Sequence, residues 1–340
     1  MKRERILMGH GSGGKLMRKL IKETFLKNLD NPFLSPLSDS AVIKMGKEKI
    51  AITTDSYVVS PPFFPGGDIG KLAVAGTAND LSVVGATPLF MTLSLVLEEG
   101  FPITDLERII QSIKITAHEA AVDVVTGDTK VVEKGKGDGI FINTSGVGTI
   151  PEKISLSMEK IGIGDRIIVN GSIGDHGAAV MMMRSGFQFE SDLISDCAPL
   201  YSLIQTLLKD NSGASSGIKF MRDPTRGGVA ATLNEIAENR GLGVTIYENE
   251  IPVRDSVRSL CEILGLDPLY VANEGKVLII VNRKKSERVL EIMRGHPLGR
   301  EARIIGEIQE KPEKRVVLKT RYGTSRIVDL PEEEKLPRIC

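Results

Sequence analysis

The sequence predicts an α/β (α+β) protein built as two units of related design, and three observations carry that prediction. The chain has 340 residues, room for about two domains. Both halves interleave strand-like runs with amphipathic helical ones, and each contains a strand, a Gly-rich turn and a helix. Between the halves, the segment IPEKISLSMEKIGIGDRIIVNGSIG around residues 150–165 has the polar, Gly-bearing composition of a crossing between domains. Identity between the halves is too weak to call them a repeat. Apolar residues make up 41% of the chain, enough for real cores.

The elements of the first half follow in order. Residues 9–15 read GHGSGGK, and after them Leu16, Leu20, Ile21 and Phe25 fall at helical spacing. KIAITT at 49–54 reads as a strand ending at Asp55, and PPFFPGG at 61–67 as a loop. Residues 67–88 are rich in small residues and helical in pattern, with Asp68 at a plausible N-cap and a stop before Pro88. Met91, Leu93, Leu95 and Leu97 share one face of a half-buried strand. Residues 104–121 form an amphipathic helix, with Thr104 and Glu107 spaced as a capping box. VDVVTGDTKV is a strand followed by a turn, GKGDG at 135–139 is a hairpin tip, and GIFINTSGVGTI is a long strand.

In the second half, RIIVNG is a strand that enters the turn GSIGDHG, with a helix from about 175 and another over 199–209. A helix over 226–240, a strand over 243–247 and a helix over 254–264 come next. KVLIIV, KKSERVLEIMRG and ARIIGEI then read as strand, helix and strand. Residues 321–340 end in VDLPEEEKLPRIC, whose EEE run is most simply solvated and whose prolines disfavour regular structure.

Composition excludes several functions. Lys+Arg and Asp+Glu are both 44, so the balance carries no nucleic-acid footprint and no basic membrane face. No apolar run reaches the roughly 18 residues of a membrane span. The basic start MKRERILM lacks a signal-peptide core, so a soluble cytoplasmic protein is expected. Three scattered cysteines make neither a disulfide framework nor a zinc site. Cys197 and Cys261 sit among apolar neighbours and read as buried reduced thiols, whereas Cys340 is the last residue and packing explains it less easily.

The chemistry-bearing groups cluster at turns. Gly9, Gly14 and Lys15 have the spacing of a phosphate-binding P-loop, but Leu16 replaces its hydroxyl and no buried strand precedes it. The physical demand is the same: bare backbone and one cation around phosphates. Residues 9–15 therefore read as a lid ordered by nucleotide. Asp55, Asp68, Asp80, Asp128 and Asp223 each suit a cap or turn when taken singly. Together, facing a Gly-rich cradle, they suit Mg²⁺, which takes hard oxygen ligands beside nucleotide phosphates. Asp68 and Asp80 are about 18 Å apart if one straight helix joins them, so they cannot share one ion. Arg226 opens a helix beside two glycines, a place that suits an anion. Lys136, in GKGDG, can also reach one. His176 is read as a capping or packing group before a catalytic one, and His10 as a hydrogen-bonding group within its loop. Glu274, in VANEGK, is either a general base with a raised pKa or a residue of a surface turn.

GHGSGGK, TTDS, GDIGKLAVAGTANDLSVVGATP, TGDTKV, GDHGAA, MRDPTRGG, ANEGK and the final PRIC occur in this order, across essentially the whole chain. This series resembles the HypE family of hydrogenase maturation proteins, of the superfamily of aminoimidazole ribonucleotide synthetase and selenophosphate synthetase. The resemblance implies a two-domain aminoimidazole-ribonucleotide-synthetase-like fold: a lid and helix over 1–40, an ATP-binding and dimerising domain over 41–152, a C-terminal domain over 153–320, and a flexible tail over 321–340. It implies a homodimer that binds ATP and Mg²⁺ and works with the carbamoyltransferase HypF and a HypC–HypD scaffold. By that resemblance Cys340 accepts a carbamoyl group, which ATP-dependent dehydration turns into a thiocyanate that donates cyanide to the iron of a [NiFe] centre. Asp55, Asp68, Asp80, Asp128 and Asp223 take metal roles. Gly11, Gly13, Gly14, Lys15, Asp55, Asp80, Asp128, Thr129 and Arg226 take nucleotide roles. Cys340, Glu274 and Lys136 take catalytic ones, with Glu274 as the base. Two other readings stay open: a synthetase of the same superfamily acting on a free small molecule, and a nucleotide-sensing scaffold that only presents Cys340.

Overall fold

The computed structural model describes residues 5–11, 14–29, 31–185, 192–210, 217–330 and 338–340. Gly13, the EEE run and the tail prolines, Pro331 and Pro337, lie outside the described residues. Short helices α1 (Lys15–Leu20) and α2 (Lys27–Leu29) flank the π-helical Ile21–Leu26, and Phe25 is exposed rather than buried in a core. Strands β1 (Ala41–Met45) and β2 (Glu48–Tyr57) follow, then the short pair β3 (Phe63–Phe64) and β4 (Gly67–Asp68). Helix α3 (Ile69–Val83), strand β5 (Thr87–Glu98), helix α4 (Ile103–Glu119) and strands β6 (Asp123–Val132) and β7 (Ile140–Ile150) complete the first half. The second half contains β8 (Arg166–Val169), α5 (Asp175–Ser185), α6 (Tyr201–Leu208), β9 (Ile218–Arg222), α7 (Gly228–Arg240), β10 (Gly243–Tyr247) and α8 (Asp255–Leu264). It ends with β11 (Leu278–Val281), α9 (Ser286–Arg294), β12 (Arg303–Gln309), β13 (Val316–Lys319) and β14 (Ser325–Ile327).

The strands form a first sheet in the order β1-β2-β7-β5-β6 and a second in the order β14-β13-β10-β12-β8-β11-β9. Helix α3 lies on one face of the first sheet. Its small residues Ala73, Ala75, Gly76 and Ala78 allow a close approach, and a Cβ at Gly76 would come within 2.3 Å of the Tyr57 hydroxyl. One buried cluster runs from Tyr57, Ile69 and Leu72 to Ala178, Val271 and Ile339, and so crosses between the halves. A second joins Leu81 and Val83 to Leu200, Leu203 and Ile204. Asn79 ties the halves together through polar atoms. Its Nδ2 donates to the carbonyls of Ala198 (3.1 Å) and Glu274 (3.4 Å), and its Oδ1 accepts the Leu200 N–H at 2.7 Å.

Several local expectations change. The strand of residues 49–54 continues to Tyr57, so Asp55 lies inside β2, because pairing with β7 extends past it. Asp128 lies within β6, not in a turn after it, because the parallel ladder with β5 runs on to Val132. Residues 135–139 are not a hairpin tip, since β6 and β7 lie on opposite sides of β5; they pass beside Glu98, whose carboxylate accepts from Gly135 and Gly139 N–H groups. No Thr104–Glu107 capping box forms, because the helix already begins at Ile103 with Pro102 at the N-cap. Asp68 does cap α3, accepting from Gly70 and Lys71 N–H groups at 2.8 and 3.0 Å, but the helix ends at Val83, and β5 already includes Pro88. Beyond residue 320, Ser325–Ile327 pairs with β13 and Val328 and Leu330 are buried, so ordered packing extends to residue 330.

Candidate active site

Asp39, Asp80 and Asp223 come from three separate elements: the residue pair before β1, the last turns of α3 and the segment after β9. Each offers a carboxylate oxygen within 4.8 Å of the others. Thr53 on β2 ties two of them together, because its Oγ1 lies 2.8 Å from both Asp80 Oδ2 and the Asp39 carbonyl oxygen, with its one proton shared between them. Arg222 Nε lies 2.9 Å from Asp39 and its Nη1 3.3 Å from Glu235. Positive charge is short here. Burial, then the neighbouring carboxylates, push Asp223 up to about 8 and Asp39 up to about 6 despite Arg222. Burial and the charges of Asp55 and Asp223 drive Asp80 well above the usual carboxylate range. Three hard oxygen donors gathered in a space with too little positive charge fit a divalent cation such as Mg²⁺.

Of the other aspartates, Asp55 belongs to this region, since its charge acts on Asp39, Asp80 and Asp223. Asp68 does not. One unbroken helix separates it from Asp80, and its Oδ1 is committed to the cap. Asp128 and Thr129 do not meet the cluster within one chain either. The pairing Asp128–Ser94–Asn143–Ser56 puts Asp128 three strands from β2, about 14 Å, on the face opposite Asp55. Asp128 is exposed and pairs with Lys130 at 2.5 Å.

The glycine loop leans on the second half. Gly11 accepts from Arg226 Nη1 at 3.4 Å, and Arg18 pairs with Glu238 on α7 at 2.8 Å. Lys15 is exposed at the first position of α1, and His10 Nδ1 accepts the Leu7 N–H at 3.0 Å, inside its own loop. Arg226 precedes a helix start made by Gly227 (φ 74°) and Gly228 (φ 60°). A Cβ on Gly228 would lie 2.6 Å from the Leu269 carbonyl oxygen, so the tight turn requires glycine.

Glu274 is not in a surface turn. It is 3% exposed, and its Oε1 has no hydrogen-bond partner among the described residues. Burial, then the charges of Asp223 and Asp196, raise its pKa well above the ordinary value, with Arg226 opposing. Asp196 holds the segment in place. Its carboxylate accepts from the Glu274 and Gly275 N–H groups at 3.3 and 3.0 Å and from Lys276 Nζ at 3.0 Å.

The last residues are docked. Cys340's main-chain oxygen accepts from Val58 N–H at 3.1 Å, the Ile339 carbonyl meets His176 Nε2 at 2.8 Å, and the Arg338 carbonyl accepts from Ser60 N–H at 3.4 Å and from Arg184. Ile339 is 1% exposed within the shared cluster, and Cys340 packs against that cluster. The Arg338 guanidinium donates to the Val58 carbonyl at 3.0 Å and pairs with Asp138. Lys136, two residues before Asp138, is exposed. Buried Cys197 is kept a thiol by burial and by the Glu274 charge, and Cys261 is buried too, its thiol pushed up to about 11 mainly by burial.

Sequence reasoning missed Asp39, Asp196, Thr53 and Arg222. Only pairing β1 against β2, and thereby bringing LSDS beside TTDS, could have pointed to Asp39.

Comparison with known proteins adds the lineage. Residues 37–150 match the family described as AIR synthase related protein, N-terminal domain, and residues 162–319 match its C-terminal domain. Carbamoyl dehydratase HypE of Azotobacter vinelandii is 50% identical over 333 residues, 98% of this chain and 96% of that protein. A solved HypE–HypF complex contains a chain 50% identical with a TM-score of 0.86, covering 92% of this chain and 99% of that one. A solved HypE in complex with ATP is 42% identical with a TM-score of 0.82, covering 99% of this chain and all (100%) of that one. Among the described residues, no helix is long and apolar enough to cross a membrane.

Proposed function

Because the chain belongs to the AIR synthase related family and, within it, to the HypE carbamoyl dehydratases of hydrogenase maturation, we propose that it dehydrates a thiocarboxamide on its own Cys340 to a thiocyanate at the expense of ATP. The chain is an ATP-dependent dehydratase by this membership; the identity of its substrate carrier is the proposal. The observation that supports it most is the docking of Arg338–Cys340 by main-chain hydrogen bonds against the cluster shared by both halves. A substrate tethered in this way has a high effective concentration. An apolar surround also limits competing hydrolysis.

The chemistry asks for four functions. The amide oxygen is a poor leaving group, so it takes the γ-phosphoryl group of ATP. A base removes an N–H proton, and loss of phosphate with the second N–H proton leaves S–C≡N. Glu274 is the base: buried, with one oxygen unpaired among the described residues, it binds a proton more tightly than a free carboxylate, and countering the charges of Asp223 and Asp55 would leave it ionised and ready to accept the amide proton. The glycine loop, with Lys15, and Arg226 close over the phosphates, and the contact between Arg226 and Gly11 supports this. Asp39, Asp80 and Asp223, with Asp55 beside them, would hold Mg²⁺, which when bound supplies positive charge against the phosphate oxygens. Lys136, in the loop whose Asp138 pairs with Arg338, would add a cation near the reacting end.

We further propose a cytoplasmic homodimer through the first sheet. Its face away from α3 carries Ile52, Phe90 and Val96 at 41, 48 and 37% exposure, an apolar surface that a second copy would cover. Asp128 and Thr129 would reach a nucleotide only in such a dimer. HypF would supply the carbamoyl group, a reading supported by the solved HypE–HypF complex, and a HypC–HypD scaffold would take the cyano group for the [NiFe] iron. Replacing Cys340 by Ala tests the tethered substrate. Carbamoyl-dependent ATP hydrolysis should vanish while nucleotide binding stays. In the unaltered protein, intact-mass analysis after carbamoylation should show loss of one water from the C-terminal peptide. Turnover surviving in Cys340→Ala would point instead to a free small-molecule substrate.

A further inference from the structure

We infer that His176 is a positioning residue for Cys340: a neutral imidazole, fixed in its Nε2–H form by Ser195, which sets the register of the docked C-terminal residues. The inference deepens the proposed function and rests on Cys340 being the substrate carrier.

The hydrogen-bond chain assigns every proton. A carbonyl oxygen only accepts, so at 2.8 Å from the Ile339 oxygen Nε2 must carry the hydrogen. In the neutral ring Nδ1 is then an acceptor, and the Ser195 hydroxyl 2.8 Å away donates to it. The Ser195 oxygen in turn accepts the Cys197 N–H at 3.0 Å. His176 is 0% exposed and the Phe64 ring stands at 86° to it, with centroids 5.3 Å apart. A ring so enclosed has one orientation, and Ile339 has one depth at which its carbonyl meets it.

A second proton does not fit this arrangement. With Nδ1–H also a donor, Ser195 would have to accept from both Nδ1 and Cys197, leaving its own hydroxyl proton with no acceptor in a buried place. The charged groups around the ring come from each element packed on it. Burial disfavours the imidazolium most, Asp196 on the Ser195 segment and the Ile339 carbonyl favour it, and Arg184 on α5 disfavours it. Arg338 on the docked residues is already paired with Asp138. The net direction is downward from the ordinary 6.5. Among the described residues, the last three main-chain oxygens accept from two main-chain N–H groups, the Arg184 guanidinium and the His176 ring, and of these the enclosed ring is the one held in a single orientation. Arg338 holds a positive φ of 55° in the docked form, so part of the docking energy is already spent on backbone strain and one lost hydrogen bond weighs heavily.

The test reads the position of Cys340 without ATP or a carbamoyl donor, so its failure is separate from failure of the dehydratase reading. In the full-length protein, the rate of Cys340 alkylation by a small maleimide is followed by peptide mass mapping. His176→Ala should raise that rate about tenfold, the scale of one buried hydrogen bond. His176→Gln, whose amide N–H can replace Nε2–H, should restore the slow rate at neutral pH. If His176→Ala fails to fold, Ser195→Ala is read in its place and should also speed alkylation, since it leaves the tautomer unfixed. Rates that match wild type in the folded variant, or a His176→Gln rate as fast as that of His176→Ala, overturn the inference.

Discussion

Replacing Glu274 by Gln should make the protein more stable and less sensitive to pH, at the cost of its chemistry. The carboxyl is 3% exposed, its Oε1 has no partner among the described residues, and burial with the Asp223 and Asp196 charges raises its pKa from 4.5. The sign follows from proton counting. Between 4.5 and its raised value the folded protein holds a proton that the unfolded chain has released, so stability is full below 4.5 and declines as pH rises. Each pH unit in that window costs about 1.4 kcal/mol, a sizeable share of a typical folding free energy of about 5–15 kcal/mol. Gln keeps the shape and carries no charge. Urea unfolding of both proteins, from mildly acidic to mildly alkaline pH, should give lines that meet near pH 4.5 and diverge above it, with Gln the more stable. Its nucleotide binding should stay near normal while dehydration is lost. Parallel lines would mean that Glu274 is not a buried acid, and unchanged turnover would remove it from the proposed chemistry.

The carboxylate cluster makes a related prediction. Asp223→Asn should raise metal-free stability, because the native carboxyl is moved from 3.8 to about 8 and its contribution is lost as pH climbs through that range; it should also abolish the Mg²⁺-dependent rise in melting temperature seen by calorimetry. Gly228→Ala should cost about 2 kcal/mol or more, since its Cβ would approach two carbonyl oxygens at 2.6 and 2.7 Å with φ at 60°, and chemical denaturation measures it. Phe90→Asp should convert the proposed dimer to monomer in sedimentation while circular dichroism stays unchanged, because the ring is 48% exposed on the open sheet face.

Periodicity carried the long elements well. The helix of residues 254–264 and the strand of residues 243–247 were legible because their apolar spacing answers directly to one buried face. What was illegible depends on contacts far apart in the chain. Asp39 looks like any aspartate before a strand until Thr53 brings Asp80 to it. Glu274 sits beside a glycine, as surface residues do, yet Gly275 is there because Asp196 packs where a Cβ would be, 1.9 Å from its carbonyl oxygen. Asp68 kept the capping role that its position advertised. The docking of Ile339 is held by main-chain oxygens, which every residue possesses, so no side-chain pattern announces it.

Asn79 has a consequence for how cargo leaves. Three of its hydrogen bonds, 2.7 to 3.4 Å, cross from the first half to the second at the floor of the cleft. Spreading the halves would break all three in a buried setting and open the two buried clusters that both halves share, a cost larger than that of undocking three residues. The economical motion is therefore small: the body stays shut, and the chain end swings out and back. Under the proposed function, a partner protein would take the thiol from the undocked chain end and would have no need to pry the halves apart.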